Sequence, residues 1–396
     1  MDKPHQLNIL TAMRSLINAI AISCIFSMPI HAQRHIEGDI LEVGLPFLGS
    51  PISFNVAQIE NIQFHALATG IGMSQTNPAS GDFNSLVDIS NAQLILQKSS
   101  GLVQFYIQGG YYSTPSLGTT YQRASQQTMD SFGLVPLANI SFAPTNQWLI
   151  AAGKINSFGG NENTFTYQNN NIDRGLLWNQ TSNISRGFQA SYKQGALSGS
   201  VTLNDGFYSN QLSWMGASAK YQLDEKNSTS FIWAGSIKPN TSDTFITPIA
   251  QNNSQIFNLI HTYASNRWTI SPYLQYTYVP ANASLGFISG SQTAGAAILS
   301  NYRFSNARSD VFSLPFRFEY IGSGGNGNPN APNLLYGQGS AAWSATITPT
   351  YQYERAFIRA ELSYVQALNT SQGQAFGPSG NANNQTRVMF ETGLLY

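Results

Sequence analysis

The feature that rules out most folds for this chain is a rhythm: from about residue 58 to the end, stretches of period-two alternation are broken by turns that are alternately short and long. Period two is the repeat of a β-strand, whose successive side chains point to opposite faces. The short breaks are Ser99-Ser100, Pro144 to Asn146, Gln194-Gly195, Asp224 to Asn227, Ser265-Asn266, Ser305 to Asp310 and Glu354-Arg355. Most are tight enough only for antiparallel hairpins. The long breaks, 73–85, 113–135, 159–184, 205–212, 240–252, 281–293, 323–342 and 369–385, are rich in Gly, Asn, Ser, Gln and Thr.

The strands between them are expected at 58–72, 86–98, 101–112, 136–144, 147–158, 185–194, 196–204, 213–223, 228–239, 253–264, 267–280, 294–304, 311–322, 343–353, 356–368 and 386–396. Their ends are set to within about 2–4 residues. In 267–280, Trp268, Ile270, Leu274, Tyr276 and Tyr278 oppose Thr269, Ser271, Gln275 and Thr277; in 343–353, Ala345, Ile347, Tyr351 and Tyr353 oppose Ser344, Thr346, Thr348, Thr350 and Gln352. Pro349 is the awkward residue there, because it cannot donate to a ladder. The last strand, Thr386 to Tyr396, puts Val388, Phe390, Leu394 and Tyr396 on one face and Arg387 and Glu391 on the other, and stops on an aromatic residue. One face suits lipid and the other suits water.

Composition agrees with a membrane barrel. Only 10% of residues are charged, against roughly 25% in an ordinary soluble protein, while 12% are aromatic. No mature stretch approaches the roughly 18 apolar residues of a membrane helix, so a membrane assignment must rest on strands. Trp148, Trp268 and Trp343 fall near strand ends, where an interfacial girdle wants them. A two-sheet sandwich would explain the alternation equally well, but not the rhythm, the terminal aromatic and an export signal together.

That signal is read at the N-terminus, where Lys3 and Arg14 lead into an apolar run from Leu16 to Ile30, with cleavage expected after Ala32. Residues 1–32 are thus a signal peptide, 33–57 a periplasmic segment, and 58–396 the barrel. Cys24, the only cysteine, falls inside the signal; Ala21-Ile22-Ser23 before it makes a poor lipobox. The mature chain would then carry no thiol chemistry.

Chemistry beyond passage finds little support in the residues. Lys+Arg and Asp+Glu number 19 each, with no basic run, so nucleic acid has no electrostatic footprint. His65 and His261 lack metal-ligand spacing, no cofactor motif is present, and there is no Gly-x-Ser-x-Gly nucleophile, so the chain is not expected to be an enzyme. The charges inside strands are more telling: Arg317 with Glu319, Arg359 with Glu361, and Arg387 with Glu391 recur at i and i+2 or i+4, on one side. Lipid exposure would cost about 2–4 kcal/mol for an Arg or Lys at the midplane, so that side faces the lumen. Lys154, Arg317, Glu319, Arg359, Glu361, Arg387 and Glu391 are the expected pore-lining residues, with Asp173 and Arg174 near a constriction; bracing of the inner wall is the plainer role for the paired charges. The 159–184 loop, with Glu162, Asp173, Arg174 and Trp178, is the longest, and either folds inward or stays outside.

Asn171-Ile172-Asp173-Arg174-Gly175-Leu176-Leu177-Trp178-Asn179-Gln180, continuing through Ile184-Ser185-Arg186-Gly187 to Asn204-Asp205-Gly206-Phe207-Tyr208-Ser209, resembles the beta-barrel porin-2 family of OmpL-like porins. The resemblance covers about a tenth of the chain and implies an outer-membrane porin passing small solutes, with no catalytic residues.

The sequence therefore leads to an all-β, transmembrane antiparallel barrel of about 16 strands, with 14 to 18 compatible with the same pattern. It would sit in the bacterial outer membrane as a water-filled channel for passive diffusion of small hydrophilic solutes and ions. The expected partners are outer-membrane lipids, those solutes, the barrel-assembly machinery reached through the C-terminal strand, and a homo-oligomeric copy. The rival reading is a structural or adhesin barrel whose surface loops do the work.

Overall fold

A computed structural model describes residues 44–47, 51–304, 310–324 and 331–396. The expected signal peptide, its Cys24 and residues 33–43 lie outside the described residues. The strands are β1 (Ile52–Val56), β2 (Ile59–Gln75), β3 (Ser85–Lys98), β4 (Val103–Tyr112), β5 (Leu137–Phe142), β6 (Trp148–Asn156), β7 (Ile184–Gln194), β8 (Leu197–Asn204), β9 (Trp214–Gln222), β10 (Asn227–Ser236), β11 (Gln255–Ala264), β12 (Trp268–Val279), β13 (Ser291–Arg303), β14 (Asp310–Ser323), β15 (Ala341–Ile347), β16 (Thr350–Tyr353), β17 (Ala356–Leu368) and β18 (Asn384–Leu395).

Apart from β15 and β16, each strand from β2 onward pairs antiparallel with the next in sequence, and β18 returns to β2 in the register Arg387↔Gln75 to Leu395↔Leu67. Tyr396 and Ala66 exchange backbone hydrogen bonds of 2.8 and 2.9 Å at the seam. β15 and β16 lie end to end, both between β14 and β17, and count as one stave, so the ring is a closed barrel of 16 strands. Pro349 explains the interruption. It has no N–H to donate, and the chain leaves regular pairing at Thr348-Pro349, where Pro349 still accepts from the Ala360 N–H at 3.2 Å.

β1 stands outside the ring and pairs only with the lower part of β2, Ile52 opposite Phe64. The 113–135 segment carries a short helix, α1 (Ala124–Asp130), held by the Thr128 hydroxyl accepting the Tyr112 N–H at 3.0 Å. At the β7–β8 turn Gly195 adopts φ +58°, the conformation a two-residue hairpin demands at its first central position.

The two faces separate as the alternation dictates. On β18, Val388, Phe390 and Leu394 point outward and are 44–58% exposed, whereas Arg387, Met389, Glu391 and Leu395 point inward and are at most 1% exposed. A wall that exposes apolar columns and buries charges suits lipid outside and a polar interior. Aromatic pairs gird both ends: Trp148–Tyr192 (4.8 Å) and Trp268–Tyr302 (4.7 Å) near the short turns, and Trp343–Tyr364 (5.3 Å) near the long loops. Among the described residues no helix is long and apolar enough to cross a membrane.

Candidate functional site: a lumen divided by an inward-folded loop

Residues 157–183, between β6 and β7, fold into the barrel and lie against one half of its inner wall. Their apolar side chains account for part of the docking: Leu176 and Leu177 pack with Ile260, Tyr273, Leu299, Ile321 and Val365 from the wall, and Ile172 packs with Ile71, Met73 and Met389. Burying each such side chain contributes about 1.5–3 kcal/mol. The rest is polar, and it uses the wall charges.

Each wall carboxylate receives donors from the loop, and for two of the three these are backbone N–H groups. Glu361 accepts the N–H groups of Ile172 (2.5 Å) and Asp173 (3.0 Å), and Glu319 accepts those of Leu176 (3.0 Å) and Leu177 (3.3 Å). Thr348 and Ser344 complete the two sites from the wall, each donating its hydroxyl at 2.8 Å. Glu391 accepts the Thr166 hydroxyl at 2.7 Å.

The wall arginines bind loop acceptors in turn. Arg317 donates to Glu162 at 2.6 Å and to the Asp173 carbonyl at 2.7 Å; Arg387 donates to the Asp173 carboxylate at 3.0 Å and to the carbonyls of Ser116 (3.1 Å) and Thr119 (3.0 Å) in the preceding loop. Arg359 bonds Glu391 and the carbonyls of Asn169 and Thr166. Charges paired and hydrogen-bonded in this way tolerate the dry interface.

Gly175 is forced at the crossing with Glu319: a Cβ there would stand 2.1 Å from the Glu319 carboxylate oxygen. Its N–H donates to Glu162 at 2.9 Å. Burial pushes the Glu162 carboxyl above its usual range, with Arg317 pulling the other way. Arg174 is fully buried beside Trp178, 5.2 Å from guanidinium carbon to ring centre, and burial lowers it to about 10. Its Nε and Nη2 have no partner among the described atoms.

Eight of the nine residues expected in the pore are therefore gathered by the structure, but as the seam between loop and wall. Asp173, Arg174, Arg317, Glu319, Arg359, Glu361, Arg387 and Glu391 are all at most 2% exposed, which takes them away from passing water. Lys154 is a plainer correction. It shares the lipid-side face of β6 with Trp148, Ile150 and Ala152, near the long-loop end, and donates to the carbonyls of Phe132 (3.1 Å) and Val135 (2.8 Å). Glu162 and Thr166 complete the seam, and in an amide-rich loop nothing local marks which residue meets the wall.

The other half of the lumen stays open. A cavity of about 1290 Å3, counting its solvent-filled space, lies between the loop and β4 to β11. Its lining mixes hydroxyls and amides, such as Asn161, Gln189, Ser200, Ser218, Ser228 and Ser230, with apolar Leu137, Ile155, Phe158, Ile232 and Ile260, and carries two charged residues, Glu162 and Lys220. A second cavity opens among the external loops and shares Asn183 with the first. Residues 44–47, assigned above to a periplasmic segment, also enter the barrel: the Leu45 N–H donates to the Tyr167 carbonyl at 2.9 Å, and Phe47 packs edge-on against Tyr167.

A closed 16-stranded wall with a polar, partly obstructed lumen is the architecture of a diffusion channel. The model of the family described as "Putative beta-barrel porin-2, OmpL-like" matches residues 61–396. The chain belongs to this family. The porin shares its fold with the anion-selective porin of Comamonas acidovorans (TM-score 0.57, 11% identity, 85% of this chain and 99% of that one). It is similar too to the outer-membrane channel DcaP of Acinetobacter baumannii (TM-score 0.56, 11% identity, 87% and 99%) and to OmpF of Salmonella typhi, solved with daunomycin (TM-score 0.56, 13% identity, 85% and 98%). At such identities the likeness concerns the fold alone. No curated protein matches the chain by sequence. The protein is an outer-membrane porin channel.

Proposed function

We propose that this porin passes small hydrophilic solutes by passive diffusion through the half of the lumen bounded by β4 to β11, with the 157–183 loop setting the aperture. The observation that carries the reading is the division of the inner wall. One half is sealed by the loop and its ion pairs, while the other presents hydroxyls and amides to open space. Such groups exchange hydrogen bonds with a passing solute without trapping it, which is what conduction requires.

The same reading assigns residues 1–32 to export, the outward apolar columns to contact with outer-membrane lipid, and β18 to recognition by the assembly machinery. A homo-oligomer agrees with it. Single-channel recording of the refolded protein, with neutral solutes of graded size added, tests the reading. Conductance steps that fall as solutes enter the pore are expected. Folded protein without steps would return the barrel to the adhesin reading.

A further inference from the structure

We propose that the open half of the lumen selects for small anions through Lys193 and Lys220; the proposal rests on the channel reading above. On β7, Lys193 follows Gln189 and Ser191 on the inward face, and on β9, Lys220 follows Ser218. The two lysines flank Ser198 of β8 in register, Lys193↔Ser198 and Ser198↔Lys220, so their backbones lie roughly 10 Å apart, two strand spacings. Both therefore address the same passing ion. Lys220 also lines the open cavity.

Neither lysine side chain has an ion-pair or hydrogen-bond partner among the described residues. Glu162, which lines the same cavity, is paired with Arg317 at 2.6 Å, and the acids of the wall are committed elsewhere. Glu319, Glu361 and Glu391 face inward but are sealed beneath the loop, and Asp88 accepts the Tyr121 hydroxyl and the Ala124 N–H. Asp224 and Glu225 lie in the exposed turn beyond the end of β9, off the inner wall, where Asp224 accepts the N–H groups of Lys226 and Asn227. Arg303, inward at the same end of β13, adds a third cation to the short-turn mouth.

The sequence as a whole is neutral, with 19 residues of each sign, yet the part of the inner wall that water reaches is positive. Burying mixed charges under the loop leaves the lysines uncompensated. A unit charge 4 Å from a monovalent ion in water changes its local concentration about fivefold, and the effect fades beyond about 10 Å at 0.1 M salt. Around the lysines, Ser191, Ser198, Ser200, Ser218 and Ser230 supply hydroxyls that suit the oxygens of carboxylates and phosphates.

Reversal potentials of the full-length protein in planar bilayers under a potassium chloride gradient test this. The expected wild-type chloride-to-potassium permeability ratio is about 2 or more and rises as salt is lowered. The ratio should approach 1 in K193Q/K220Q and invert in K193E/K220E, while Lys98→Gln, outside the lumen at a periplasmic turn, leaves it unchanged. Heat-modifiable gel mobility confirms that each variant is folded. A wild-type ratio at or below 1, or an unchanged ratio in the folded double variant, overturns the proposal. Absence of any conductance overturns the channel reading instead.

Discussion

Arg359 of β17 and Glu391 of β18 stand directly opposite each other on the inner wall, and their ion pair is roofed by the loop. The guanidinium Nε reaches Glu391 at 2.8 Å, while its other two nitrogens donate to the carbonyls of Asn169 (2.8 Å) and Thr166 (2.9 Å). The pair thus belongs as much to the loop as to the barrel. Arg359→Ala would leave Glu391 buried without its cation, at a cost of about 3–5 kcal/mol. Undocking the loop hydrates the carboxylate, so the loss should fall there first. Single-channel conductance is expected to rise and become noisier, with the folded gel band retained.

Gly175 offers a steric route to the same end. Gly175→Ala drives a methyl group into Glu319, whose oxygens already hold Leu176, Leu177 and Ser344. Overpacking of this kind costs about 1–3 kcal/mol. Cleavage within 157–183 by an added protease should become faster than in wild type. Gly72→Ala, where nothing lies within 4 Å of the added carbon, should not alter it.

The wall was legible because strand parity is local. The faces of 267–280 and of the terminal strand follow from side-chain alternation alone, and the sides of Arg317, Arg359 and Arg387 follow with them. What covers those charges was not legible. Thr166 meets Glu391 across 225 residues of chain, and no periodicity links a loop amide to a wall carboxylate. Lys154 shows the converse: Trp148 and Ile150 already assign even positions of that strand to lipid, and parity would have placed it. Parity would equally have put Lys193 beside Gln189 and Ser191.

The seam between first and last staves gives a third prediction. Tyr396 exchanges two backbone hydrogen bonds with Ala66, and Arg355 stacks 3.8 Å from its ring centre. Each backbone bond is worth about 1 kcal/mol net, and unpaired groups near lipid cost more. Deletion of Tyr396 should lower the yield of heat-modifiable barrel on refolding into detergent or lipid.

Arg174 is expected to oppose docking. It is fully buried, its Nε and Nη2 lack partners, and burial draws its pKa down to about 10, still well above neutrality, so the charge is carried into the seam. Replacing a buried cation short of partners with an apolar side chain of similar length removes the desolvation penalty the charge carries. Arg174→Met should therefore slow protease cleavage within 157–183. Faster cleavage would show that the guanidinium supports the docked loop.

Glu162 supplies the pH dependence. Burial raises its pKa above the usual 4.5 in the docked loop, opposed by Arg317, and exposure on release restores the ordinary value. The docked loop consequently holds a proton at pH values where the released loop has lost it. Stability falls with pH wherever the ordered state binds more protons. The proton-linked contribution to docking is thus fully present below about 4.5 and is lost as pH rises through the higher, docked-state pKa. Acidification should quiet loop-dependent current fluctuations, and Glu162→Gln, neutral at every pH, should flatten that dependence. Recordings across this range in both proteins check the assignment; an equal pH response in the two would remove Glu162 from it.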